Sequence, residues 1–376
     1  MKTMNFLRTV IVLCLLYSHE ILAFEPTWGI EFTFSNSWVD QASTDMWEID
    51  SEQAEIYREL FKRRLEASCG EACRIKKFTD KNGVDAYRVE LLDPNLNGWG
   101  FDITNDPGCV EIVTRPATYA QFKSMLPIIE SYIFEVAKNA HLVPMHQVGG
   151  GHLNVGFQST FYDKPLLFRN WIVDMANHPE IGDGFFESDF TNSPTIAALS
   201  KTRRDRFAQI LKRFDQGKFR IANDPGHVKE MQAFAAAIDS EVYTGRALAE
   251  GGGNEPKYHH LANYTVSDND VALGSKRSEI RGISTHYSAS QAVDAVGLFN
   301  ARLEYLSRLE APITYRNRKI PSVPEKIQLF QEYVTQSGFS PKDFASRIVA
   351  NSWKGKIPWN SCSELDLENA LSERNL

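Results

Sequence analysis

Long apolar runs are scarce in this chain. Beyond residue 23 no segment approaches the roughly 20 consecutive apolar residues that a bilayer-spanning helix needs, which excludes a membrane-spanning helix there. A basic surplus is also missing. Lys and Arg number 41 against 48 Asp and Glu, and the formal charge of −7 argues against a general nucleic-acid binder. Cysteine is sparse, with five in all and no paired Cys-x-x-Cys unit, so a cysteine-built zinc site has little to stand on. No Gly/Ser-rich or Pro-rich stretch forces a domain cut. Neither triple-glycine run is followed by Lys-Ser/Thr, and His-Glu-x-x-His and Gly-x-Ser-x-Gly are absent, which removes the usual P-loop, zincin and serine-hydrolase signatures.

What is there begins at the N-terminus. Lys2 and Arg8 precede an apolar run from Val10 to Tyr17, followed by a more polar stretch ending at Ala23. This layout is that of a secretory signal, with cleavage expected after Ala23; Ile21, large for its position, keeps a retained anchor open. The protein is therefore expected to be exported, periplasmic or secreted, without stable membrane insertion after cleavage. Setting Cys14 aside leaves Cys69, Cys73, Cys109 and Cys362, an even number that allows two disulfides in any of three pairings.

Apolar residues recur at helical spacing in Tyr119, Phe122, Leu126, Ile129, Ile133, Val136 and Ala140, and again in Ala292, Ala295, Val296, Phe299, Leu303 and Leu306; both stripes predict helices covering a sheet. Asp50 or Ser51 can cap a further helix to about Ala67. Pro324, Pro341 and Ser363 open helices near the C-terminus. The basic cluster around Lys201 to Arg213 carries Phe207, Ile210, Leu211 and Phe214 at helical spacing, and so predicts a solvated helix face rather than a binding patch.

Four predicted strands alternate apolar residues with reactive ones. Trp28, Ile30, Phe32 and Phe34 oppose Glu31 and Thr33; Val110, Ile112 and Thr114 oppose Glu111, Val113 and Arg115; Leu153, Val155 and Phe157 oppose His152 and Asn154; Ser278 and Ile280 oppose Arg277, Glu279 and Arg281. Each polar set, taken singly, is the ordinary solvent side of an antiparallel strand. Gathered on one sheet face, they bring together three carboxylates, an imidazole, an amide and guanidinium groups. Such a face suits a divalent ion and phosphate, since carboxylates are hard oxygen ligands and Arg forks bind phosphate oxygens.

The segments Gly29-Ile30-Glu31, Cys109 to Val113, Gly149 to Asn154, Lys257 to Asn263 and Ser278 to Arg281 resemble the amidoligase family, related to glutamine synthetase and glutamate-cysteine ligase within the carboxylate-amine ligases. The resemblance spans Trp28 to Leu309 through short motifs. It implies an α+β fold: a curved antiparallel sheet with an active concave face, backed by helices and followed by a helical C-terminal extension. The expected divisions are 1–23 as signal, 24–310 as catalytic domain and 311–376 as its extension. It further implies ATP and Mg²⁺ or Mn²⁺ as cofactors and a carboxylate and an amine as substrates, such as an amino acid, a peptide or a cell-wall-type fragment. Glu31, His152 and Glu279 match ligands of one ion and Glu111 a ligand of a second. Arg281 and Arg277 match positions near the transferred phosphate, with Arg281, Glu279 and Glu111 as the catalytic set; Asn154 matches another phosphate contact, and Lys257 and Asn263 border the site. One departure stands out. Thr33 occupies a place where the family usually carries a second acidic residue, which leaves open a degenerate binding protein on the same scaffold. ATP is scarce outside the cytoplasm, which leaves three answers open: delivery into another cell that supplies ATP, a binding or hydrolytic protein on the same scaffold, or a signal that does not export the chain. A zinc hydrolase built from His146, His152, His259, His260 and His286 is the rival, although the spacing of these residues does not favour it.

Overall fold

The computed structural model describes residues 24–36, 51–79, 83–106, 109–144, 150–181, 193–243, 259–283 and 285–344. The expected signal segment, Lys257, His146, Gly149, Cys14, Cys362 and the helix expected at Ser363 lie outside them. Ten strands form one open, curved antiparallel sheet: β1 Thr27–Asn36, β2 Cys73–Thr79, β3 Asp85–Leu91, β4 Gly100–Asp106, β5 Cys109–Thr114, β6 Ala117–Thr118, β7 Leu142–Pro144, β8 Leu153–Gly156, β9 Leu261–Ala262 and β10 Arg277–Ile280. Their order is β2-β3-β4-β5-β1-β8-β10-β9, with β6 and β7 also pairing to β1. The long central β1 touches four other strands, so it sets the register of the whole sheet.

Period-two alternation decides which face is buried. Trp28, Ile30, Phe32 and Phe34 are at most 1% exposed, as are Val110, Ile112, Leu153, Val155 and Ile280. Helices cover that face. Phe61 of the Ser51–Cys69 helix stacks on Phe34, Phe134 meets Phe32 and Phe34 edge-on, and Asn300 of the Ala289–Ser307 helix accepts from the Trp28 indole N–H at 3.1 Å. Burying each large side chain contributes roughly 1.5–3 kcal/mol, so this apolar layer is the main force holding helices to sheet.

The stripe expected from Tyr119 to Ala140 is buried except for the half-buried Tyr119 and Leu126, but it is not one regular helix. It runs as Tyr119–Ser124, Leu126–Ile129, a π-helical turn Glu130–Phe134 and Glu135–Asn139. Pro127 lacks an N–H and cannot continue the preceding turn's ladder. The C-terminal part is helical at Val323–Gln336 and Pro341–Phe344, but residues 310–322 have no regular structure and lie as a strap across the Pro165–Asn177 helix. Cys69 and Cys73 stand at disulfide distance, the one pairing seen among the described residues. The basic helix Lys201–Asp215 packs Phe207, Ile210, Leu211 and Phe214 inward.

Candidate functional site

On the face opposite the helix-packed layer, β1, β8 and β10 lie side by side. Gly29 faces Asn154 across one ladder and Asn154 faces Glu279 across the next. The Glu31 N–H donates to His152 O at 2.9 Å, which extends the pairing to the residue just before β8. The register thus brings Glu31, His152, Asn154 and Glu279 together from segments far apart in the chain. His152 Nδ1 shares a 2.8 Å hydrogen bond with Glu31 Oε2 and lies 3.7 Å from Glu279 Oε1. The other edge of the ring lies over Gly150, where an added Cβ would fall 2.2 Å from Nε2. Glycine at 150 is what allows the ring to turn its Nδ1 edge to the carboxylates.

Around these three, the hydrogen bonds form a nearly closed ring, open only between His152 and Glu279, whose Nδ1 and Oε1 stand 3.7 Å apart. Asn154 Nδ2 donates to Glu31 Oε1 at 2.8 Å, and Asn154 Oδ1 accepts from Arg277 Nε at 2.6 Å. Arg277 Nη2 donates to the Tyr264 hydroxyl at 3.0 Å, which donates to Glu279 Oε2 at 3.2 Å. Arg281 Nη1 donates to Glu279 Oε1 at 2.5 Å. Burial alone would raise the Glu31 carboxyl, but the His152 hydrogen bond and charge, the Asn154 amide and the Arg277 charge outweigh it and hold Glu31 at about 2. Burial and the Glu279 charge push the Tyr264 phenol well above its usual range, so it stays protonated and able to donate. For Arg277 and Arg281 burial opposes the charge, yet the surrounding anionic groups raise both.

Glu31, His152 and Glu279 form the one group of three potential metal-ligating residues within 4.8 Å among the described residues. Two carboxylates and an imidazole around one point suit a divalent ion such as Mn²⁺ or Mg²⁺. Glu111 is not in that group. It sits on β5 opposite Thr33, its Oε2 accepting from Thr104 Oγ1 at 2.9 Å, and its charge reaches Arg277. Thr33 Oγ1 donates to Gly150 O at 3.1 Å and contacts Thr285 Oγ1 at 3.3 Å, so its hydroxyl ties strand to loop. Asn263 is buried at the start of the short Tyr264–Ser267 helix, its Nδ2 3.5 Å from Leu261 O, and it does not join the ring.

Among the described residues, the other histidines do not converge on this centre. His259 pairs with Asp239 at 3.3 Å and stacks on Tyr243; His260 is buried against Gly282, its imidazole pulled down to about 4 by burial; His286 Nε2 contacts Gly151 O. Tyr264 is the site residue that sequence reasoning missed. It follows directly on the Lys257 to Asn263 stretch, but no strand alternation points to it, because it enters from a four-residue helix rather than from the sheet. No protein-family model matches the chain, and no curated protein matches it.

Proposed function

We propose that the chain is an ATP-dependent carboxylate-amine ligase that forms an amide bond through an acyl phosphate. The observation that carries this reading is the convergence of Glu31, His152 and Glu279 on one point, with Arg277 and Arg281 beside it, on the sheet face opposite the main helix-packed layer. A carboxylate is a poor electrophile because its oxygen is a poor leaving group in water. Attack of a carboxylate oxygen on the γ-phosphorus, with cleavage of the bond to ADP, converts it into an acyl phosphate. An amine then adds to the carbonyl carbon, phosphate leaves, and the nitrogen loses a proton. In this reading Glu31, His152 and Glu279 would hold a divalent ion, which supplies charge neutralisation for the phosphates when bound. Arg277 and Arg281 orient phosphate oxygens and offset the charge spread over the transferring group. Carboxylate and amine belong to small-molecule or peptide substrates, and export remains part of the proposal.

A second reading, a non-catalytic binding protein on the same scaffold, draws on Thr33, whose hydroxyl is bonded to Gly150 O where a second carboxylate would otherwise add charge. Calorimetric titration of ATP and a non-hydrolysable analogue into the purified protein, with Mg²⁺, with Mn²⁺ and with a chelator, separates the two. Metal-dependent binding lost in Glu279→Gln is expected. Absence of nucleotide binding under every metal condition would sink the ligase reading.

A further inference from the structure

Arg277 and Glu279 meet in two ways, directly with Nη2 3.7 Å from Oε2, and by hydrogen bonds through one shared phenol oxygen. The Tyr264 hydroxyl has one proton and two lone pairs; the proton goes to Glu279 Oε2 at 3.2 Å, and a lone pair accepts from Arg277 Nη2 at 3.0 Å. It therefore joins a carboxylate of the ligand group to a guanidinium whose side chain is 39% exposed on the same face. Tyr264 is held there by a purpose-built mount. Thr265 Oγ1 donates to Arg277 O at 2.6 Å and accepts from Arg277 N at 2.9 Å, fastening the Tyr264–Ser267 helix to the strand that carries Glu279. Buried Lys276 donates from Nζ to Thr265 O at 3.1 Å and also to Asp268 O, closing the other end of that helix. Two side chains and four backbone groups thus fix the short helix that holds one phenol oxygen between two functional groups.

We infer that Tyr264 is a positioning residue that links Glu279 to Arg277, so that a divalent ion and a phosphate group bind this site as one coupled unit. The physical reason is that each ligand alone must reorganise the shared hydroxyl. A cation drawing on Glu279 and an anion drawing on Arg277 both act on the bonds that Tyr264 makes, so the first ligand prepares the site for the second. Without the hydroxyl, Glu279 loses the donor to its Oε2 and Arg277 loses an acceptor. Both then sample other rotamers before binding.

This inference rests on the metal-phosphate reading of the site, and its test separates the two. Mn²⁺ is titrated into wild-type protein calorimetrically with and without a saturating non-hydrolysable ATP analogue, and the analogue is titrated with and without Mn²⁺. Wild type is expected to bind each more tightly, by tenfold or more, in the presence of the other. Tyr264→Phe, which keeps the ring and removes one oxygen, is expected to bind Mn²⁺ about tenfold more weakly alone and to lose most of the mutual enhancement. Enhancement undiminished in Tyr264→Phe overturns the coupling role while leaving the site reading intact. Wild-type protein that binds neither probe overturns the site reading, and this inference with it. Should Tyr264→Phe fail to fold, Arg277→Lys perturbs the same link from the other side: it keeps the charge but loses the planar fork that serves Asn154 from Nε and Tyr264 from Nη2, and an enhancement equal to wild type in that variant also overturns the proposal.

Discussion

Glu31 stands at the heart of the site as a buried carboxylate with a donor on each oxygen, and that pairing has a consequence for stability. Its folded pKa lies at about 2 against 4.5 for the free group. A depressed carboxylate stabilises the fold above the unfolded value, and that stabilisation is lost as pH falls from about 4.5 toward 2. The shift corresponds to roughly 3 kcal/mol. We expect the stability difference between wild type and Glu31→Gln, measured by urea unfolding, to be largest near pH 6 and to shrink by up to that amount at pH 2. A difference that stays constant with pH would mean that Glu31 is not held ionised by His152, Asn154 and Arg277. At the same scale, Gly282 shows how tightly the flank is packed. A Cβ there would fall 1.7 Å from His260 Nδ1, and the imidazole is only 2% exposed. Gly282→Ala is therefore expected to destabilise by about 1–3 kcal/mol, the usual cost of overpacking, read from the same urea series.

The helix that supports the C-terminal part works by a different principle. Asn170 and Asn177 lie seven residues apart on the Pro165–Asn177 helix, two turns along one face. Each amide grips the strap twice: Asn170 accepts from Ile313 N at 3.0 Å and donates to Ala311 O at 3.1 Å, while Asn177 accepts from Arg316 N at 2.7 Å and donates to Thr314 O at 2.9 Å. Because these are backbone contacts, they hold the strap whatever its side chains are. Asn177→Leu removes two hydrogen bonds, and because Thr314 and Arg316 are exposed, water takes up the freed backbone groups, so the expected cost is about 1–3 kcal/mol for the pair of bonds. The same variant should increase amide hydrogen exchange at residues 314–316 before the sheet is affected. Uniform loss of protection across the whole chain would argue against a local clasp. Beside it, Asp174 holds Arg302 through both carboxylate oxygens, joining this helix to Ala289–Ser307.

For the molecule as a whole, the candidate ligand group ties together three neighbouring segments of the sheet, Glu31 on β1, His152 just before β8 and Glu279 on β10. A divalent ion that binds the folded but not the unfolded chain stabilises it by mass action. At a free concentration of about a hundred times its dissociation constant the gain is about 2.7 kcal/mol. Under the proposed function, Mn²⁺ should raise the urea midpoint of wild type, and EDTA should reverse the effect. Glu279→Gln should show no such shift. An equal shift in that variant would place the ion elsewhere on the protein.

Much of this was legible in residue order alone. Alternation in Trp28 to Phe34, in Val110 to Arg115 and in Arg277 to Ile280 determined which side chains face the helices, because the strand period of two forces neighbours to opposite sides. That rule set Glu31, Glu111 and Glu279 on one class of face, and the helical stripes of 119–140 and 292–306 supplied the cover. Alternation is silent on register. The family resemblance implied that Glu31, His152 and Glu279 belong together with Glu111 apart, but the pairing of β8 with β1 and β10 is what physically brings them together, because strand pairing depends on contacts between segments more than a hundred residues distant. Tyr264 and the strap were beyond sequence for the same reason. A phenol entering from a four-residue helix, and two asparagines gripping a distant backbone, leave no periodic mark, since their partners are chosen by tertiary packing rather than by neighbours in the chain.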